Sequence, residues 1–167
     1  MRSASILMAL AFSISPRPLP ASDATDAAKA QAEEMSQAVV RGDFKKLADL
    51  THPKIVSQVG GKEQLAEISE KAVQSMKTLG LELKAIKVGT PADPVEANME
   101  LYTVVPFTLT LTKMKEEMEK ESYYIAVSSN GGKKWTFLDG SQLTVDNVKQ
   151  ILPDFPSALM LPTVKKK

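Results

Sequence analysis

The segment "EANMELYTVVPFTLTLT" (residues 96–112) carries the longest alternation of apolar and polar residues in the chain. This period of two predicts an antiparallel strand with one buried face and one face in water. Its even positions are mostly Glu, Asn, Tyr and Thr, and Pro106 among them marks an edge or a bend. The predicted buried face is made of the odd positions Ala97, Met99, Leu101, Thr103, Val105, Phe107, Leu109 and Leu111.

Two more strands are predicted after it, at residues 121–128 and 133–138, joined by "SNGG". Asn and Gly accept positive φ at low cost, which favours a tight hairpin. The charged run "KMKEEMEKE" (residues 113–121) is predicted to be a solvated hairpin connection and the starts of its strands, with a binding site as the alternative. Within the hairpin, Trp135 and Phe137 are predicted to pack beside three residues of the partner strand, Tyr123, Ile125 and Val127.

The same hairpin carries S-x-N-x-G-x-x-W (residues 128–135), which resembles the Asp-box turn S-x-D-x-G-x-T-W of sialidase-type propellers. Asn130 replaces the Asp of that motif, and Lys134 replaces the Thr. Propeller blades require the motif at a regular period, and no internal repeat is visible. We therefore interpret the motif as a structural turn, with sugar binding as the alternative.

Helices dominate the first half of the chain. Helical periodicity predicts helices at residues 24–41 and 62–79, and a short helix after Asp43 in which Phe44, Leu47 and Leu50 share a face. Residues 53–59 are predicted to form a short strand. The longer helix has the apolar stripe Leu65, Ile68, Ala72, Met76 and Leu79.

Around these elements, "LELKAIKVG" (residues 81–89) predicts a strand with a bulge near residues 85–86. A last short helix, capped by Thr144, should turn Val148, Ile151 and Leu152 inward and end at Pro153. Residues 153–167 are predicted to be an extended apolar tail with a basic end, lying across the domain or across a partner subunit.

The chain of 167 residues fits one domain, and its 43% hydrophobic and 25% charged residues are typical of globular proteins. Residues 1–24 resemble a secretory signal peptide, because a short basic start precedes an apolar run too short to span a bilayer. Cleavage is expected after Ala21 or Ala24, which predicts an exported protein with no stable membrane span. Absence of cysteine excludes disulfides, thiolate nucleophiles and cysteine metal sites.

The order of elements resembles the nuclear transport factor 2-like superfamily, which includes ketosteroid isomerases and SnoaL-like cyclases. The resemblance rests on "VVRGDFKKLADLTHPKIV" (residues 39–56), on "GGKEQL" (residues 60–65) and on the terminal long strands. It covers about residues 24–140, and the domain of this type is predicted at residues 25–152. The resemblance implies an α+β, cystatin-like cone, in which a curved antiparallel sheet packs against three N-terminal helices. It also implies a cavity between sheet and helices, and a homodimer through the sheet.

A small apolar ligand is the partner expected for that cavity. The predicted lining is Met99, Leu101, Phe107, Tyr123 and Trp135. We expect an exported, non-enzymatic domain that binds such a ligand or a partner protein. The alternatives are an isomerase-like or cyclase-like enzyme that uses Tyr123, and a dimeric structural module whose tail is exchanged between subunits.

Catalytic, metal and cofactor sites are not predicted. The buried face of the long strand has no carboxylate to act as the base of an isomerase. His52 is the single histidine, and we interpret it as closing the second helix with a partly positive imidazole. The net charge of +1 and the three arginines make nucleic acid an unexpected partner.

Overall fold

The computed structural model describes residues 19–162 and has an α+β architecture. A strongly curled antiparallel sheet, close to a half-barrel, packs against helices. The helices are α1 (Ala21–Arg41), α2 (Phe44–Leu50), α3 (Pro53–Gln58), α4 (Lys62–Thr78) and α5 (Val145–Ile151). The strands are β1 (Leu81–Val88), β2 (Val95–Ala97), β3 (Glu100–Lys113), β4 (Glu116–Ser128) and β5 (Thr136–Asp139).

The sheet has the strand order β1-β3-β4-β5, and β2 pairs with β3 beyond the end of β1. The β1–β3 register shifts between Leu83 and Ala85, which confirms the predicted bulge. The β3–β4 connection is a two-residue turn at Met114 and Lys115, both with positive φ, and the predicted solvated hairpin is confirmed. Strands β3 and β4 therefore continue without a break almost to the tip of the hairpin.

Helix α1 owes its close packing on the sheet to small residues. Ala24, Ala28 and Ala32 recur at the helical period and are all buried. The helix ends at Gly42, whose φ of 75° is a left-handed conformation that glycine adopts without a Cβ penalty. Because Ala24 belongs to the core, cleavage after Ala21 would keep it in the protein, whereas cleavage after Ala24 would remove it. The rest of the predicted signal peptide, up to residue 18, lies outside the described residues.

The strand predicted at residues 53–59 is wrong, because this segment is helix α3. Pro53 occupies its first turn, where a missing N–H costs nothing, and the His52 side chain accepts a hydrogen bond from the Lys54 N–H. Local capping thus overrides the β preference of Ile55 and Val56. Four helices, not three, precede β1.

Residues 96–112 form two strands, so the prediction of one continuous strand is wrong. Asn98 and Met99 have φ values of 49° and 64°, and they make a tight turn between β2 and β3. The chain folds back there, and Val95 pairs with Tyr102. Met99 is consequently exposed at the tip of a turn instead of lying in a strand.

Both faces of the sheet bear a core, so the predicted water-facing side of the long strand is wrong over its first half. Tyr102 and Val104 are buried as fully as Val105. They pack in a second core with residues that follow β5, including Leu152, Phe155 and Leu159. The first core lies on the other face, against α1 and α2. Because the tail beyond α5 covers the sheet, residues 102–105 are all buried and do not alternate between buried and exposed positions.

The β4–β5 hairpin also has a different facing from the predicted one. Phe137 pairs with Ala126, and Trp135 and Phe137 lie in the helix-side core together with Tyr124. Tyr123, Ile125 and Val127 belong to the opposite core. The loop between β4 and β5 is long enough to shift the β4–β5 register by one position from the predicted one. A shift of one residue moves every side chain of a strand to the opposite face of the sheet.

The connection itself is held by side chains of the Asp-box-like motif. Ser128 Oγ donates to Asn130 Oδ1 at 3.0 Å and accepts from the Gly132 N–H at 3.0 Å. Asn130 Oδ1 also accepts from the Lys134 N–H at 2.8 Å. The Trp135 indole N–H donates to the Gly132 carbonyl at 2.9 Å. Every polar member of the motif therefore has a role in closing the turn.

Replacing Asn130 with alanine is expected to lower the free energy of unfolding by about 1 kcal/mol, because the Ser128 hydroxyl and the Lys134 N–H lose their common acceptor. Asn130→Asp is the matched control, because a carboxylate supplies the same acceptor. Urea unfolding followed by Trp135 fluorescence measures both variants. Equal stability of Asn130→Ala and the unmodified chain would contradict this role of the turn.

Candidate functional site

Three of the five predicted ligand-binding residues share one core. Leu101, Phe107 and Trp135 lie on the helix side of the sheet. Met99 is at the tip of the β2–β3 turn, and Tyr123 lies in the opposite core. The Tyr123 hydroxyl donates to the Leu143 carbonyl at 3.1 Å, its one hydrogen bond within residues 19–162. An isomerase-like mechanism would need a carboxylate beside Tyr123, but among the described residues no carboxylate forms a hydrogen bond with its hydroxyl.

Near the N-terminus of α1 the helix-side core is closely packed. Trp135 is fully buried, and its backbone N–H donates to Gln31 Oε1 at 2.9 Å. A Cβ atom on Gly132 would lie 2.6 Å from the Ala24 Cβ, closer than real contacts allow. At this end the space between α1 and the sheet is thus filled by protein atoms.

Toward the β3–β4 turn the same face of the sheet opens. Leu83, Leu111 and Met118 are directly paired across β1, β3 and β4, so their side chains form one row on one face. The two leucines are half-buried, and Met118 is 41% exposed. A parallel row is formed by Ile86 and Leu109, which are also half-buried. We call these five residues the apolar mouth.

Lysines lie beside the apolar mouth on the same face. Lys120 pairs with Leu109, and Lys113 pairs with Leu81. Within the described part of the chain neither ammonium has an ion-pair or hydrogen-bond partner. Glu116 lies opposite Lys113 on this face, whereas the residue opposite Lys120 is Leu109. The arrangement is an apolar floor beside the positive charge of Lys120, which suits an apolar molecule with an anionic end.

A separate concave site lies on the other face of the sheet, and its volume is about 540 Å³. We call it the His52 cleft. The α2–α3 junction supplies His52, the β2–β3 turn supplies Asn98, the start of β3 supplies Glu100 and Tyr102, and the tail supplies Asp154. The backbone N–H of His52 donates to the Phe137 carbonyl at 2.9 Å, and this bond fixes the α2–α3 junction to β5.

Electrostatics in this cleft favour a neutral imidazole. Burial lowers the pKa of His52, and the nearby Glu100 opposes this effect. Burial and the hydrogen bond to Glu100 raise the pKa of Tyr102 well above its usual range. His52 caps α3 and is not the partly positive residue at the end of α2 that we predicted, so that interpretation is wrong.

Other kinds of site are limited by what residues 19–162 contain. Among the side chains that the structure describes in this range, no group of three or more His, Cys, Asp or Glu is placed to hold a metal ion. Over the same range, no helix combines the length and apolar character needed to cross a bilayer.

Comparisons with known proteins leave the family open. Protein-family models give no match to the chain, and a search of curated proteins also gives no match. The nuclear transport factor 2-like assignment therefore stays a prediction that rests on the pattern of elements.

Proposed function

We propose that this protein is an exported, non-enzymatic binding domain of the nuclear transport factor 2-like type, and that its ligand binds at the apolar mouth. The observation that carries the proposal is the row Leu83, Leu111 and Met118, which is apolar across three strands and only partly covered. Exposure of such a surface to water is unfavourable, and its burial under a ligand lowers the free energy.

The ligand that fits best is an elongated apolar molecule with an anionic end. Adjacent strands lie about 4.8 Å apart, so the row is about 10 Å wide, enough for an acyl chain to lie across it. Lys120 would then hold the anionic end at the margin of the apolar mouth. A long-chain carboxylate has this chemistry.

Met118→Glu is expected to weaken binding of a fluorescent long-chain carboxylate about 10-fold, because it places a carboxylate in the apolar floor beside the ligand. The matched control is Met160→Glu, since Met160 is a methionine of the C-terminal segment that is 87% exposed. Fluorescence titration measures both affinities. Equal affinities of the two variants, or no binding by the unmodified chain, would contradict the proposal.

The anionic end is tested by comparing a long-chain carboxylate with the alcohol of the same length. Lys120→Glu should weaken binding of the carboxylate and leave binding of the alcohol nearly unchanged. If both ligands are weakened equally, Lys120 acts by packing and the ligand class is wrong.

A partner protein is the second candidate, and helix α4 favours it. None of its 17 residues is buried, and Ile68 of its predicted core stripe is 45% exposed. Leu79, just beyond its end, is 69% exposed. The dimer implied by the resemblance would have to avoid the part of the sheet that the tail covers, because Tyr102 and Tyr123 are buried there.

A further inference from the structure

The His52 cleft contains a buried imidazole in which one of the two ring nitrogens has a hydrogen-bond partner. His52 is 7% exposed, and its Nδ1 accepts a hydrogen bond from the Lys54 N–H at 3.2 Å. A neutral imidazole that accepts at Nδ1 carries its proton on Nε2. In the described residues Nε2 has no hydrogen-bond partner, and His52 lines the cleft. The cleft thus presents an N–H donor, on a buried residue, that lacks an acceptor among the described residues.

Two carboxylates face the same space, and each is fixed by one hydrogen bond. The Tyr102 hydroxyl donates to Glu100 Oε2 at 2.6 Å, and the Asn98 amide donates to Asp154 Oδ2 at 3.0 Å. Both donors are held by β3 and by the turn that precedes it, so the carboxylates are positioned before any ligand arrives. In each group the second oxygen has no partner within residues 19–162.

The lysine in the described lining of the cleft is directed elsewhere. The Lys54 ammonium donates to the Ile151 carbonyl at 3.0 Å and forms no ion pair with Glu100 or Asp154. Two carboxylates against one ammonium leave the lining with a formal charge of −1. Carboxylates that are fixed and unpaired favour a ligand that brings its own positive charge.

We propose that the His52 cleft binds a primary ammonium group with an acceptor oxygen a few bonds away. The ammonium would lie between Glu100 and Asp154, and the oxygen would accept from His52 Nε2–H. Met99 and Leu152 supply apolar contact beside these polar groups. The volume of about 540 Å³ lies in the usual range of small-molecule sites. A small amino alcohol offers both groups, and a lysine of a polypeptide offers the ammonium of its side chain with a backbone carbonyl as the acceptor oxygen.

The test is a titration of the full chain, followed by ¹H–¹⁵N NMR, with 2-aminoethanol and with Nα-acetyl-lysine methylamide, whose side-chain ammonium is free. We expect saturable shifts at His52 and at the backbone of residues 98–102. Saturation by 2-aminoethanol alone identifies a small amine, and saturation by the lysine derivative alone identifies a polypeptide. Ethane-1,2-diol, which lacks the ammonium, should produce no saturable shift. Absence of saturation with both amines overturns the proposal.

Variants make the test specific to the two carboxylates. Glu100→Gln and Asp154→Asn should each weaken amine binding about 10-fold, because each removes one charge and keeps the shape and an acceptor oxygen. Glu119→Gln is the matched control, since Glu119 is an exposed glutamate near the β3–β4 turn. Asp154 is exposed, so its replacement leaves the fold intact. Equal weakening in all three variants would overturn the proposal, because it would reflect net charge alone.

Discussion

Replacing Trp135 with alanine is expected to lower the free energy of unfolding by about 3–5 kcal/mol, the range for removing a large aromatic side chain from a core. Trp135 is fully buried among α1 and the sheet, and its indole N–H is satisfied by the Gly132 carbonyl. Its neighbours cannot collapse into the space, because Ala24, Ala28 and Ala32 already bring the α1 backbone close to the sheet.

Urea unfolding followed by circular dichroism measures this change, because the variant has no tryptophan. Trp135→Phe is the matched control and is expected to lose much less stability, since the ring is kept and only the indole hydrogen bond and part of the volume are removed. A loss below about 1 kcal/mol in Trp135→Ala would mean that the β4–β5 hairpin does not anchor α1.

Replacing Phe155 with alanine is expected to cost about 3 kcal/mol, although the residue lies in a segment without regular secondary structure. Phe155 is buried and meets the Tyr102 ring edge to face, with ring centroids 6.1 Å apart. Its backbone N–H donates to the Leu152 carbonyl at 3.0 Å, which fixes the segment to the end of α5.

Met160→Ala is the control for Phe155→Ala, since Met160 belongs to the same segment but is exposed. It should change stability by less than about 0.5 kcal/mol. Because Trp135 and Phe155 lie in different cores, their two losses should add in the double variant. If Phe155→Ala is as stable as Met160→Ala, the tail does not form the second core.

Much of the helical half could be predicted because its signals are local. The alanines of α1, the Asp43 cap and the Thr144 cap each act within one or two turns of the chain. Segment 53–59 was misassigned because β-branched residues suggested a strand, whereas the hydrogen bond from the Lys54 N–H to His52 favours a helix. The turn at residues 98–99 was missed because alternation continues through it, and Asn98 is its single turn signal.

The facing of side chains depended on partners that are distant in sequence. Tyr102 was predicted to face water because nothing near it in the chain indicates that Phe155 covers it. For the same reason the predicted pocket included Tyr123 together with Trp135, although the β4–β5 register places Phe137 opposite Ala126 and so puts the two aromatic side chains on opposite faces. The His52 cleft could not be predicted, because it combines the α2–α3 junction, the β2–β3 turn and the tail. The nearest signal was a lone histidine followed by Pro53.

Photolabelling with a long-chain carboxylate that carries a diazirine tests the apolar mouth most directly. After illumination of the full chain, peptide mass spectrometry locates the modified residues. Binding at the apolar mouth predicts labels within residues 109–120, including Met118, and competition by an unlabelled long-chain carboxylate should remove them. Labels spread over exposed side chains such as Met99 and Met160, without competition, would contradict binding at this site.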